Sequence, residues 1–206
     1  MLRIKYFVQQ SWLLIVAPFF FGLLIAVANA AWQQRITRNE QDKLYGLMRE
    51  LITDANDFKV AIDKLQITDN RGKTTETDIY EVLDSNEKSI AFAFVADGPG
   101  FADKIKLVIA VDDGCERLFG FKVLSSNETP GIGSQIKEDD FGSQFKNIPA
   151  VKLELVKTGS AKETECQIVA ISGATVSSEA VVKILNTYID KVKEQLQVKG
   201  FIGNAK

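Results

Sequence analysis

The sequence predicts an α+β domain with a mainly antiparallel sheet, joined to one amino-terminal helix long enough to cross a bilayer. Three observations carry this expectation. Residues 6–34 contain no charge, short β-branched and aromatic runs separated by glycine and proline turns fill the middle, and an amphipathic helical pattern closes the chain. At 206 residues, 46% of them hydrophobic, the chain has room for one ordinary domain with a sizeable core and an accessory segment.

Within the charge-free stretch, residues 12–31 are almost wholly apolar. At about 1.5 Å per residue, Trp12 and Trp32 stand about 30 Å apart on a helix, which places an indole at each interface of a bilayer. Pro18 and Gly22 are tolerated in such a span. Arg3, Lys5 and the triplet Ala28-Asn29-Ala30 also fit a cleaved signal peptide, but the apolar region is longer than a signal core, so a retained anchor is expected. The short amino-terminal tail favours a cytoplasmic start and an extracytoplasmic domain, although Arg35 and Arg38 answer Arg3 and Lys5 from the far side.

Residues 33–54 read as a helix, with Ile36, Leu44, Leu47, Met48 and Leu51 recurring near a 3.6 period. Residues 62–68 and 79–83 are strand candidates separated by the turn signal Asn70-Arg71-Gly72. Stronger strands follow at 90–95, 105–111 and 118–124, punctuated by Gly98-Pro99-Gly100 and by Asp112-Asp113-Gly114, the latter spacing a hairpin. Residues 139–146 suit a short amphipathic turn or helix carrying Phe141 and Phe145. Residues 151–156 alternate like a half-exposed strand, and 167–171 form one more. Residues 178–196 place Val181, Ile184, Leu185, Tyr188, Ile189, Val192 and Leu196 on one face of a packed helix.

Composition removes several kinds of chemistry. With 25 Lys+Arg against 27 Asp+Glu, the formal net charge of -2 offers no basic field for nucleic acid. The chain has no histidine, which excludes Ser-His-Asp and Cys-His catalysis and zinc sites that need imidazole. No metal-ligating pattern stands out. Cys115 and Cys166 are too few and too far apart for a thiolate cluster or a Cys-x-x-Cys pair, and fit either one disulfide or two small buried thiols.

Two loops carry the chemical interest. Ser172-Gly173-Ala174-Thr175-Val176-Ser177-Ser178 lies between an apolar run and the last helix, where small residues and unpaired first-turn amides make an anion site. The same hydroxyls of Thr175, Ser177 and Ser178 also fit a helix cap. Glu128-Thr129-Pro130-Gly131-Ile132-Gly133 is a turn with one fixed φ and two positions free to take positive φ. Together they suggest a site for a flat or phosphorylated ligand.

Glu128-Thr129-Pro130-Gly131-Ile132-Gly133, followed some forty residues later by Ser172-Gly173-Ala174-Thr175-Val176-Ser177, resembles the FMN-binding domain shared by two membrane electron-transport proteins. These are the G subunit of the Rnf ferredoxin:NAD oxidoreductase and the C subunit of the sodium-translocating NADH:quinone reductase. The similarity covers nearly the whole chain, whose modest length resembles the Rnf protein more. The resemblance implies FMN bound covalently to Thr175 through a phosphoester, made by a flavin transferase that uses FAD. It implies Ser172, Gly173, Ala174, Ser177 and Ser178 around the phosphate, and Glu128, Thr129 and Gly131 near the isoalloxazine ring. Two positions depart from the family pattern, with Val169 where aspartate is usual and Ser126 where histidine is frequent.

The expected division is therefore a membrane anchor at 1–34, a helical stalk at 35–58, the FMN-binding domain at 59–198 and a tail at 199–206. The expected role is an electron carrier in an Rnf-type, ion-translocating complex, not catalytic alone, held by a single pass in the cytoplasmic (inner) membrane with its carboxy-terminal domain outside the cytoplasm. Its partners would be the other membrane subunits and the flavin transferase. The alternatives are the same role in a sodium-translocating quinone reductase and, from another class, a non-redox envelope module that binds through the two loops.

Overall fold

The computed structural model describes residues 2–68, 72, 74–160 and 162–203. Asn70 and Arg71 of the expected first turn lie outside the described residues, as do the side chains of Arg3 and Lys5. The chain forms two compact units, Met1–Lys43 and Leu44–Lys206. Helix α1 (Leu2–Leu51) runs through the first unit without interruption at Pro18 and ends in the second. In the first unit, the apolar side chains Trp12, Phe19, Phe20, Phe21, Leu24 and Trp32 are all exposed. A helix this long and apolar is able to cross a membrane, and lipid is the medium in which such a surface is stable.

The second unit is built on a six-stranded antiparallel meander: β1 (Asp57–Thr68), β2 (Thr74–Leu83), β3 (Ser89–Pro99), β4 (Lys104–Asp112), β5 (Arg117–Ser126) and β6 (Ile148–Pro149), paired in that order. Its strands alternate between two cores. Phe92, Phe94, Leu107, Ile109 and Val111 point to one face, while Ala91, Ala93, Val108 and Ala110 point to the other. Small residues on that second face admit the end of α1, whose Leu44 and Met48, with Ile52 just past the helix, are buried there. The helical stretch expected as a stalk is thus partly a layer of the domain. It stops at Leu51, and β1 already begins at Asp57.

Against the first face packs α3 (Thr175–Val198), burying the whole predicted stripe of Val181, Ile184, Leu185, Tyr188, Ile189, Val192 and Leu196. Between β5 and β6, α2 (Asp139–Gly142) and a following 3-10 turn bury Phe141 and Phe145 edge-on against Phe121. A separate parallel pair, β7 (Glu154–Val156) and β8 (Gln167–Val169), leads into α3. Here the structure corrects the expected strand at 151–156. Leu153 is bracketed instead by the Asn186 side chain, which accepts from its amide at 2.8 Å and donates to its carbonyl at 2.9 Å. Val169 is bracketed in the same way by Gln144, at 2.9 and 3.1 Å.

One turn differs from expectation, and the expected β4–β5 hairpin forms. Gly98 and Pro99 continue β3, paired with Ile105 and Lys104, so the turn lies at 100–103. In the β4–β5 hairpin the left-handed residue is Cys115, φ 52°, rather than Gly114. Asp112 makes this possible by accepting the amides of Glu116 and Arg117 at 2.7 and 3.0 Å. Both thiols are free, with Cys115 buried and Cys166 half-buried.

Candidate functional site

Three segments meet at one end of α3: the turn after β3, the loop at 127–133 and the turn at 171–175. The residue that joins them is Glu128, only 5% exposed. Its Oε1 accepts the amides of Phe101 at 2.9 Å and Ala102 at 3.0 Å, and its Oε2 accepts the hydroxyl of Ser177. A buried carboxylate is held only when its lone pairs are met, and here three donors from two other segments meet them. Two glycines allow the close packing. A Cβ on Gly100 would overlap Glu128 Oε1, and one on Gly133 would lie 2.9 Å from Oε2 and 2.8 Å from Ser177 Oγ.

The turn into α3 is shaped by a second hydroxyl. Ser178 Oγ accepts the Ile171 amide at 3.1 Å and donates to the Ala174 carbonyl at 3.0 Å. Gly173 supplies the positive φ of 77° that this turn requires, and a Cβ there would meet only Ile132 Cγ2 at 4.0 Å. Ala174 is the N-cap residue and caps no amide with its side chain. The first helical bond is Ser178 N to Ala174 O, so the amides of Thr175, Val176 and Ser177 precede it. The capping role open to Thr175, Ser177 and Ser178 is filled by none of them, because Ser177 and Ser178 have turned inward to Glu128 and to the preceding turn. Thr175 remains exposed as the first residue of the helix.

The expected site residues therefore divide in two. Ser172, Gly173, Thr175, Thr129 and Gly131 are exposed. Ala174, Ser177, Ser178 and Glu128 are buried and serve as the framework beneath them. The 127–133 loop is fixed by bonds of its own, with the Gly131 amide on Ser134 Oγ at 2.9 Å and the Gln135 amide group on the Gly131 carbonyl at 2.7 Å. Ser126 accepts the Glu128 amide at 3.3 Å, and the half-buried Val169 ends β8 just before the turn.

Sequence reasoning missed what lies beside this turn. A groove of about 620 Å³ runs along α3, with Gly98, Pro99 and Gly100 on one bank and Val176, Ala180 and Lys183 on the other. Gly98 is required for that approach, since a Cβ would come within 2.6 Å of Ile184 Cγ1. At its floor Asp97 pairs with Lys104 at 2.7 Å and accepts the Tyr188 hydroxyl at 3.2 Å. Burial works to raise the Asp97 carboxyl, but Lys104, Tyr188 and Thr75 together hold it below the ordinary carboxylate value. Burial pushes the Tyr188 phenol up. The only sequence signal for this groove was the Gly98-Pro99-Gly100 run, which also reads as simple punctuation.

The residues present fit a phosphate-bearing group. Uncapped amides at the start of a 24-residue helix attract an anion, the positive-φ glycine leaves open backbone, and an exposed hydroxyl stands at the first helical position. The relatives of this chain agree with that chemistry. The FMN-binding domain family matches residues 100–190, which contain all three converging segments and most of α3. The G subunit of the proton-translocating ferredoxin:NAD(+) oxidoreductase complex of Clostridium ljungdahlii is 30% identical over 180 residues, spanning 87% of this chain and 88% of that one. The chain belongs to the G-subunit family of Rnf-type complexes. Another member, the G subunit of the ion-translocating oxidoreductase complex of Methanosarcina acetivorans, is 27% identical over 84% of this chain and 87% of its own.

The fold of this G-subunit member is shared with NqrC of Shewanella oneidensis, at TM-score 0.56 and 20% identity over 71% of this chain and 73% of that one. It is also shared with the C subunit of the Na(+)-translocating NADH-quinone reductase of Parabacteroides distasonis, at TM-score 0.53 and 17% identity over 77% and 95%. The expected α+β architecture, with its antiparallel sheet and long carboxy-terminal helix, is the observed one. The family and its domain make this an FMN flavoprotein of the electron-transport type, on a chain with one candidate membrane helix among the described residues.

Proposed function

We propose that the chain is the FMN-carrying electron relay of an Rnf-type, ion-translocating ferredoxin:NAD oxidoreductase, with the flavin joined to Thr175 through a phosphoester. One observation carries the attachment: of the three hydroxyls in the first turn of α3, Ser177 and Ser178 are committed to the protein interior and Thr175 alone is exposed. In maturation Thr175 Oγ attacks the FMN phosphorus of FAD. One oxygen–phosphorus bond forms, the pyrophosphate bond breaks, AMP leaves and the hydroxyl proton is lost. A flavin transferase supplies the catalysis for this step.

The protein's part in the relay is to hold the cofactor. The amides of Thr175, Val176 and Ser177 receive the phosphate charge, and Gly173 leaves room for it. Ser172 stands exposed beside them as a further donor. Thr129 and Gly131 are exposed on the neighbouring loop, which Glu128 anchors from beneath. FMN, when bound, accepts and passes electrons singly or in pairs, which suits a carrier between neighbouring cofactors. A covalent tether serves a domain outside the cytoplasm, where lost flavin is not replaced. The α1 span holds that domain at the cytoplasmic membrane, beside the other members of the complex.

The test is the full chain produced with a flavin transferase and run on a denaturing gel under ultraviolet light. The wild type fluoresces, Ser172→Ala and Ser177→Ala still fluoresce, and Thr175→Ala is dark. Fluorescence retained by Thr175→Ala overturns the attachment. A colourless wild type overturns the flavoprotein reading in favour of a non-redox binding module. Co-purification separates an Rnf-type complex from a sodium-translocating quinone reductase.

A further inference from the structure

The groove beside α3 and the buried Glu128 belong to one device. The two banks of the groove are the run Gly98, Pro99 and Gly100 and the first turns of α3, and Glu128 bonds to both sides. Its Oε1 fixes the amides immediately after Gly100, and its Oε2 fixes Ser177 next to Val176. Val176 on the α3 bank is 51% exposed, and Phe101, which follows Gly100 at the end of the other bank, is 66% exposed. Because Glu128 is bonded to both segments, it fixes where these two apolar side chains are carried.

Resting on the attachment of FMN at Thr175, we infer that Glu128 is the positioning residue of the flavin site, setting the distance between two apolar walls, Phe101 and Val176, that take the isoalloxazine ring at the mouth of the α3 groove. The occupant follows from the tether. Val176 is the next residue after the attachment point and lines the groove, so a ring joined at Thr175 is delivered to its mouth. A volume of about 620 Å³ is of the size that encloses a small planar ligand. Gly100 is part of the same device, since any side chain there would push Glu128 off the Phe101 and Ala102 amides. Glu128 thus acts through the two walls and touches no part of the cofactor.

The experiment compares wild type, Phe101→Ala, Glu128→Gln and Glu128→Ala as full chains matured by the flavin transferase. Gel fluorescence reports attachment, and native flavin anisotropy with iodide quenching reports how the ring is held. All four chains carry covalent flavin, because Thr175 is unchanged. Phe101→Ala lowers the anisotropy and raises the quenching constant about twofold, as one of two ring faces is uncovered. Glu128→Ala does the same. Glu128→Gln stays near wild type, because its amide oxygen still accepts the Phe101 and Ala102 amides and its amino group donates to Ser177. Phe101 is exposed, so its variant folds and decides the matter even if Glu128→Ala does not. Wild-type anisotropy and quenching in a flavinylated Phe101→Ala overturn the inference. A wild type without a fluorescent band overturns the phosphoester itself.

Discussion

Replacing Gly100 by alanine tests the packing beneath the site. The added methyl carbon would overlap Glu128 Oε1 and sit 2.6 Å from the Asp103 carbonyl oxygen and 2.8 Å from Ile105 Cγ1. A flexible side chain can withdraw, but the Asp103 carbonyl is backbone and already accepts the Gly100 amide at 2.8 Å. The φ of Gly100 lies outside the left-handed region, so the cost is contact alone. Overpacking costs about 1–3 kcal/mol, and the strained turn hydrogen bond adds about 1, giving about 3 kcal/mol in total. For a unit the size of Leu44–Lys206, where roughly 2–4 °C follow each kcal/mol, the melting temperature falls by about 6–12 °C. The control is Gly142→Ala in α2, where the backbone is right-handed helical and no atom lies within 4 Å. It should match or slightly exceed wild type. The assay is thermal unfolding of the full chain in detergent. A Gly100→Ala protein that melts within about 2 °C of Gly142→Ala refutes the contact argument.

Other substitutions test other parts. Asp97 has a folded-state carboxyl held below its ordinary value, so its contribution is present above about pH 4 and is lost as pH falls through the lowered value. The stability gap between wild type and Asp97→Asn should narrow below about pH 4, and a constant gap between pH 6 and pH 3 would count against the Lys104 pairing. Burial pushes the Cys115 thiol up to about 12. A thiol reagent at pH 8 therefore labels one cysteine per native chain, Cys166, and two after denaturation; two fast-reacting native thiols would contradict this. Asn186→Leu removes the bracket on Leu153 and should cost about 2 kcal/mol in a denaturant titration, with an unchanged midpoint as the contrary result.

The parts legible in the sequence were those governed by local pattern. The α3 stripe and the hairpin at Asp112 follow from periodicity and turn chemistry, and the structure shows both. What escaped depends on partners far along the chain. Glu128 reads as a loop residue beside a ligand, yet the amides it accepts lie at Phe101 and Ala102 and its hydroxyl partner at Ser177. Leu153 reads as strand, but Asn186 takes its hydrogen bonds. Ser177 and Ser178 look like caps until their inward partners are known. In each case one polar side chain outcompetes a backbone pattern, and no window of neighbouring residues reveals it.

The brackets at Leu153 and Val169 bear on how this domain meets other proteins. In the β7–β8 pair, Glu154 and Ala170 turn their amides inward to the companion strand, so Leu153 and Val169 present the outer edges. Asn186 and Gln144 occupy both. An extended peptide from another protein finds no open backbone to add to at either position. Contacts at these two edges must then be made by side chains. Recognition written in side chains can be retuned by single substitutions, whereas a zipped strand would tie the domain down along its whole length.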